Sequence, residues 1–453
     1  MRVLTYTDKE SRDLTGFVTN VSITRSTLEP YENSTIDLLI PFEIMFDVFP
    51  QASTGVNDLD TWVVIFDKVP GEQRERAQFI GRIVGITSGL RALSQERGAG
   101  MIKNAPLSLS CDNWLQPVRN GQIYLSGKSP LEGHILDKAT AGARFKELAS
   151  LPLTTRNVGV IFSRFWSEYA KYYRLPKTLI NGEDLATWAN TVSTTQDAQN
   201  LTPERANQHR DVFGLALNAA SFTMNSTAWG IIRNAFQGDP NIIELFTTLE
   251  PTEDEYLDSD KLLGVSPCIV YRIKPFIEDG VTVSSMIPHP RTHAIELNRV
   301  ISVDFNQQDA DRINAVYLDS PLTPSAAVEL FGVAADPILK KEDINRAGLR
   351  LYRGVWPFFP VGRKRKSQGG YQKEIQEVIK LVSSIVLNRH RYLNGSITLD
   401  QNLKLRAGLW CVVGVGSRSL YLYVDSVTHT SSVNDSGLMI KRSYIEFVRG
   451  FIE

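Results

Sequence analysis

Apolar and polar positions alternate at strand period through both ends of the chain. Near the start, Phe17-Val-Thr-Asn-Val-Ser-Ile-Thr24 alternates, Pro30 and Asn33 supply turn chemistry, and Thr35-Ile-Asp-Leu-Leu-Ile40 returns, which predicts a hairpin. Trp62-Val-Val-Ile-Phe66 reads as a short apolar strand. Phe79-Ile-Gly-Arg-Ile-Val-Gly-Ile-Thr87 and Leu107-Ser-Leu-Ser-Cys111 read as a further pair, separated by Leu90 to Lys103. Gly81 and Gly85 within the first of these predict bending or close backbone approach, as where a sheet curls into a barrel. Residues 1–125 are therefore expected to form a small closed sheet.

The last sixty residues carry the same signature. A basic and aromatic run, Arg389-His390-Arg391-Tyr392, precedes Ser396-Ile-Thr-Leu-Asp400, and Leu403 to Gly408 leads into Leu409-Trp-Cys-Val-Val413. Ser419-Leu-Tyr-Leu-Tyr-Val-Asp425 and Ser426-Val-Thr-His-Thr430 follow, each piece stopping at Gly, Asn or Ser, as paired antiparallel strands do. Gly414-Val-Gly416 lacks the third glycine and the helix of a dinucleotide loop, so a β-turn is expected there.

The middle reads differently. Leu131 to Leu148 mixes apolar and charged residues at helical spacing, and Ile161 to Tyr173 places aromatics three and four apart. Asp211 to Ala220 and Asn241 to Phe246 extend the helical expectation. Further on, Pro321 and Pro324, a helix over Glu342 to Leu351, and an amphipathic helix over Tyr371 to Leu387 mark an interruption between strand-rich segments.

The order of these pieces resembles the baseplate hub proteins of contractile-tailed bacteriophages, related to the base of type VI secretion spikes. At the C-terminal end the resemblance lies in a strand from Gly395 to Leu399, a Leu-x-Leu-x-x-Gly turn, a Tyr-Val-Asp-Ser-Val-x-His strand and a closing strand into Arg449-Gly450. Gly81-Arg-Ile-Val-Gly85 with Leu109-Ser-Cys-Asp-Asn-Trp114 is similar to the end of the family's first barrel. Pro267, Tyr271, Arg272, Pro275 and Phe276 match the strand by which family chains return to a second barrel. That barrel is expected to continue through Ala294–Asn298, Val300–Asp304 and Arg312–Leu318. The resemblance covers about two thirds of the chain, with the helical middle matched by position only.

It implies a mixed, β-rich (α+β) fold of two small β-barrel hub domains, a helical middle domain and an insertion in the second barrel. The implied divisions are 1–125, first barrel; 126–262, mostly helical; 263–320 with 388–453, second barrel; and 321–387, insertion, where the chain departs from the family pattern. It further implies a homotrimer whose six barrels join a six-fold tail tube, or tube-initiator protein, to a three-fold central spike. Other baseplate proteins are further expected partners. The lumen would pass DNA without binding it specifically, in a virion assembled in the bacterial host cytoplasm.

Composition agrees with a large, multidomain protein. The chain has 453 residues and is 42% hydrophobic, enough for more than one core. A net charge of -1 argues against a dedicated nucleic-acid binder. Cys111, Cys268 and Cys411 are dispersed and odd in number, so neither a disulfide framework nor a thiolate metal site is expected. The start turns polar too soon for a signal peptide, and no apolar run approaches the ~20 residues of a spanning helix.

Candidate chemistry has simpler readings. Arg363-Lys-Arg-Lys366 could touch DNA or an acidic partner, but four cations in a glycine-rich loop read better as solvated. His289 and His293 are four apart, yet Pro290 opposes the helix that would align them on a metal. Glu253-Asp254-Glu255 is a polar loop rather than a glycosidase pair. The aromatics Phe162, Phe165, Trp166, Tyr169, Tyr172 and Tyr173 suit a helical core better than a binding stripe.

Trp356, Phe358 and Phe359, held out of regular structure by Pro357 and Pro360, form the candidate interface. No catalytic, cofactor-binding or metal-binding residues are assigned, and no cofactor is expected. Two alternatives stay open: a tail-associated cell-wall hydrolase, and a receptor or carbohydrate-binding tail module.

Overall fold

The computed structural model describes residues 1–6, 11–27, 32–41, 61–69, 75–88, 104–116, 122–123, 179–180, 183–184, 193–196, 226–227, 243–251, 263–273, 292–308, 312–319, 337–355, 383, 385–434 and 436–452. The N-terminal strands are β1 (Arg2–Tyr6), β2 (Ser11–Asp13), β3 (Val18–Ser26), β4 (Asn33–Pro41), β5 (Trp62–Lys68), β6 (Glu75–Ser88) and β7 (Asn104–Asn113). Short strands follow at β8 (Gln122–Ile123), β9 (Leu179–Ile180), β10 (Glu183–Asp184), β11 (Ser193–Gln196) and β12 (Ser226–Thr227). Next come β13 (Ile243–Pro251), β14 (Val265–Ile273), β15 (Thr292–Ile295), β16 (Val300–Asn306), β17 (Ala315–Asp319), β18 (Ile338–Leu339) and β19 (Leu351–Val355), with helix α1 (Lys341–Ala347) before β19. The C-terminal strands are β20 (Leu393–Asp400), β21 (Trp410–Val415), β22 (Arg418–Val433) and β23 (Met439–Ile452).

Period-two patterning produces the first ladders as expected. In β4 and β7 every second side chain is buried, and the register places Ile36 opposite Leu109 and Leu38 opposite Leu107. These residues join Val21, Ile23, Ile65, Phe79 and Ile83 in one apolar core. A second core gathers Ile397, Leu399, Cys411, Val413, Leu422, Val424, Ile445 and Phe447 from β20 to β23.

The two cores lie on one continuous sheet. Among the described residues the strand path runs β16-β20-β23-β22-β3-β4-β7-β6-β5-β1-β2, with β21 on β22 and β15 on β21. The two halves meet where Ser426–Ser432 of β22 pairs antiparallel with Asn20–Ser26 of β3.

The halves also repeat each other. Spatial order β5-β6-β7-β4-β3 in one corresponds to β21-β22-β23-β20-β16 in the other. Each repeat opens on a 3-10 turn, Thr15–Phe17 or Leu297–Arg299, whose following valine N–H donates back to its first residue. Each then has a register shift just after that valine, Val18/Asn20 and Val300/Ser302. The ladders equate Leu109 with Ile445, Ile86 with Val427 and Trp62 with Trp410. Both long strands carry a bulge at the same place, Val84 between Ile83 and Gly85, and Asp425 between Val424 and Ser426.

Several local expectations are met. Gly81 sits where β6 and β7 come close, since a Cβ there would lie 2.0 Å from the Asp112 carbonyl oxygen. Gly416 takes a left-handed φ of 64° in the tight turn from β21 into β22. The helix expected over Glu342 to Leu351 is present in its first part as α1, Lys341–Ala347; Gly348, at a left-handed φ of 73°, ends it, and Leu351 already opens β19.

Others are corrected. Asn241 to Phe246, expected to be helical, enters strand β13, because Ile243 to Pro251 finds a full antiparallel partner in Ile273 to Val265. A short apolar run cannot distinguish the two states; an available ladder decides. β14 joins β13 and β11 in a separate three-stranded sheet, and Ala315–Asp319 pairs with β18 and β19 instead of continuing the large sheet. The helices expected at 131–148, 161–173 and 211–220 lie outside the described residues, as does most of Tyr371–Leu387.

Candidate assembly site at the joint of the two halves

The joint is built on a switch of partners along β22. Its first half, Arg418–Tyr423, pairs with β21; past the Asp425 bulge its second half pairs with β3. A bulge re-aims one strand edge without ending the strand, so β22 can serve both halves. On the face away from the cores, the Thr24 and Thr428 hydroxyls are 3.1 Å apart across the joint. The Thr27 backbone N–H donates to the Asp425 carbonyl at 2.8 Å.

Under the bulge lies a buried charge cluster. Arg449 of β23 donates to Asp425 Oδ1 at 2.6 Å and to Glu244 Oε1 at 3.0 Å, and all three side chains are almost fully buried. The Tyr423 hydroxyl donates to Glu244, and the Arg449 guanidinium lies 4.0 Å from the Tyr423 ring centroid. Asp425 Oδ2 accepts the Val448 N–H at 2.8 Å. Burial alone would push the Arg449 pKa down, but Asp425, Glu244 and Tyr423 override it and hold the guanidinium above its ordinary value. The guanidinium is thus charged, and its bonds tie β13, β22 and β23 together at one point.

The β13–β14 hairpin straps this joint. Its Thr247 Oγ1 accepts from Asn113 Nδ2 at 2.8 Å in the first half, while the Leu249 carbonyl accepts from Arg406 in the second. Leu263, just before β14, accepts the Ala77 N–H of β6 at 3.0 Å.

Two more buried groups sit beside the joint. Arg25 of β3 pairs with Glu32 and donates to the Gln78 carbonyl. His429 of β22 contacts Ser443 Oγ at 2.8 Å and the Leu405 carbonyl at 3.1 Å. Burial, reinforced by Arg25 and Arg406, depresses its pKa to about 3. The ring is therefore neutral, with one nitrogen donating to Leu405 and the other accepting from Ser443.

The residues that sequence reasoning singled out fall elsewhere. Trp356, Phe358 and Phe359 lie outside the described residues, as do His289, Arg363–Lys366 and Glu253–Glu255. His293 lies on β15 with its Nε2 2.9 Å from Asn402 Nδ2. Burial and Lys404 lower its pKa. Arg389–Arg391 forms a 3-10 turn, with Arg389 over the Tyr352 ring and Tyr392 buried. Cys111, Cys268 and Cys411 are free and buried in three separate apolar clusters. Among the described residues no His, Cys, Asp or Glu cluster has the make-up of a metal site. No helix among them is long and apolar enough to cross a membrane.

Sequence reasoning did not assign Glu244, Asp425 and Arg449 to one site. Asp425 and Arg449 stood within strands recognised for their pattern, and charged residues inside apolar runs were the available signal.

Comparison with known proteins gives a consistent set of likenesses. No protein-family model matches the chain, and no curated protein does. The solved structures it is similar to include tail proteins, a prophage tail protein among them, and a component of the type VI secretion system. A tail protein from Neisseria meningitidis MC58 is 11% identical with a TM-score of 0.46, the match covering 98% of this chain and 96% of that one. The 43 kDa tail protein of prophage MuSo2 from Shewanella oneidensis is 10% identical with a TM-score of 0.43, covering 99% and 98%. The E. coli c3393 protein, a component of the type VI secretion system, is 8% identical with a TM-score of 0.35, covering 96% and 73%.

Proposed function

We propose that this protein is a structural tail hub: a homotrimer in which each chain contributes two barrel-like units, so that three chains present six. Internal repetition carries the reading. Two units of the same strand order, 3-10 start and bulge position share one sheet, which supports reading the chain as two-sixths of a closed ring. Closed cyclic symmetry then needs one further repeated contact. Such a ring adapts a six-fold tail tube to a three-fold spike.

The face of the sheet turned away from the cores supports a channel role. Across the joint it carries Thr398, Tyr444, Thr428 and Thr24 in one row, and Asp400, Arg442, Thr430 and Ser22 in the next. Those two rows carry hydroxyls and one Asp–Arg pair, beside the exposed apolar Ile440, and side chains of that kind hold phosphates weakly enough for DNA to pass. On this reading the chain is not an enzyme.

The test is negative-stain electron microscopy with native mass measurement of the purified chain. Three-fold rings whose outline approaches six-fold are expected. Monomers that remain monomeric when tube and spike partners are added would sink the reading, leaving the hydrolase and receptor alternatives to assay.

A further inference from the structure

The repeat equates the strands at the internal joint with two strands that, among the described residues, have an open edge. At the joint, the second half of β22 pairs with β3. The equivalent of β22 is β6, and the equivalent of β3 is β16. β6 is bonded to β5 only through Arg82, plus one further bond from the Ile83 N–H to the Thr61 carbonyl at 3.0 Å. Its counterpart in β22 ends the same way, with the Val424 N–H donating to the Leu409 carbonyl at 2.9 Å. Beyond the bulge, Gly85–Ser88 is paired with β7 on one side only, and β16 with β20 on one side only.

Exposure agrees. Ile23 of β3, covered by β22, is 4% exposed, whereas its equivalent Phe305 of β16 is 52% exposed. Ile301 on the same strand is also 52% exposed. An apolar open edge strand is a pairing site that monomers normally blunt with charge or cover.

Resting on the trimer reading above, we infer that the open edge of β6 in one copy pairs antiparallel with β16 of the next, reproducing the internal β22–β3 joint. The register follows from the equivalences: Thr87 stands opposite Asn306 and Ser88 opposite Phe305, as Thr428 stands opposite Thr24 and His429 opposite Ile23. A Thr–Asn side-chain pair then replaces the Thr24–Thr428 pair on the outer face. Internal and external joints alternate around the ring, and head-to-tail closure covers the open edges of β6 and β16 in every copy.

Cysteine pairing tests the register. The Thr27 N–H to Asp425 carbonyl bond makes that pair a hydrogen-bonded one, so Thr24–Thr428, and by equivalence Asn306–Thr87, is a close non-hydrogen-bonded pair suited to a disulfide. The full chain carrying Thr87→Cys and Asn306→Cys is oxidised mildly and run under denaturing, non-reducing conditions. The expected result is covalent dimers and trimers, absent from Thr87→Cys with Ser302→Cys, which lies four residues out of register. The native cysteines are buried and do not compete. Three-fold particles without a matched cross-link would overturn the edge pairing and leave the hub reading standing. Monomeric particles of both variants and of the unaltered chain would overturn both. Should the double variant fold poorly, hydrogen exchange on the unaltered chain decides. Amides of residues 85–88 and 302–306 are expected to slow on assembly, and unchanged exchange in assembled rings counts against the pairing.

Discussion

Replacing Arg449 with methionine keeps most of the side-chain volume and removes the charge that two buried carboxylates share. The guanidinium is 2.6 Å from Asp425 Oδ1 and 3.0 Å from Glu244 Oε1, and those partners are 1% and 0% exposed in their side chains. At an effective dielectric constant of about 20, each pair at ~3 Å has a gross attraction of roughly 5 kcal/mol, most of it offset by desolvation. Removing one member of a buried pair leaves its partners uncompensated and costs about 3–5 kcal/mol, more than the pair's net worth when intact. Arg449→Met is therefore expected to lose that much stability. The triple variant Arg449→Met, Asp425→Asn, Glu244→Gln should recover a large part, because no buried charge remains and the amide oxygen introduced at position 425 can still accept from the Val448 N–H. Urea denaturation of the full chain, with Arg442→Met as an exposed control, measures the differences. If the single variant unfolds with the control, or the triple is less stable than the single, the cluster does not hold the joint as argued.

Two further outcomes are expected. Because His429 is neutral when folded, with a pKa of about 3 against 6.5 in the open chain, its contribution is present above pH 6.5 and is lost as pH falls toward 3. The slope is about 1.4 kcal/mol per pH unit, and His429→Gln should flatten the stability profile across that window; an unchanged profile refutes the assignment. Gly81→Ala would put a Cβ 2.0 Å from the Asp112 carbonyl oxygen and 2.6 Å from the Phe79 ring. It should cost about 3 kcal/mol or more, while Gly414→Ala, with open space around it, should change thermal stability little.

How far the sequence speaks depends on the range of the interaction involved. The β4 and β7 strands were legible because one face of each is buried, which imposes alternation on Thr35–Ile40 and Leu107–Cys111. Gly416 announced its turn through the conformation only glycine takes easily. Asn241–Phe246 was misread because its short apolar run fits either periodicity, and the deciding partner lies some twenty residues away at Val265–Ile273.

The internal repeat shows the same limit. Trp62-Val-Val-Ile65 and Trp410-Cys-Val-Val413 look alike once aligned, but only the ladders show that the two tryptophans occupy equivalent places. Composition and patterning by themselves determined a β-rich chain with strand ladders at both ends, since burial on one side of a pleated strand is a local constraint. That those ends share one sheet, and that Glu244, Asp425 and Arg449 meet beneath its joint, was decided by tertiary structure alone. Pairing between strands some four hundred residues apart leaves no local periodicity, and a buried charge finds its partners by position in space rather than by spacing in sequence.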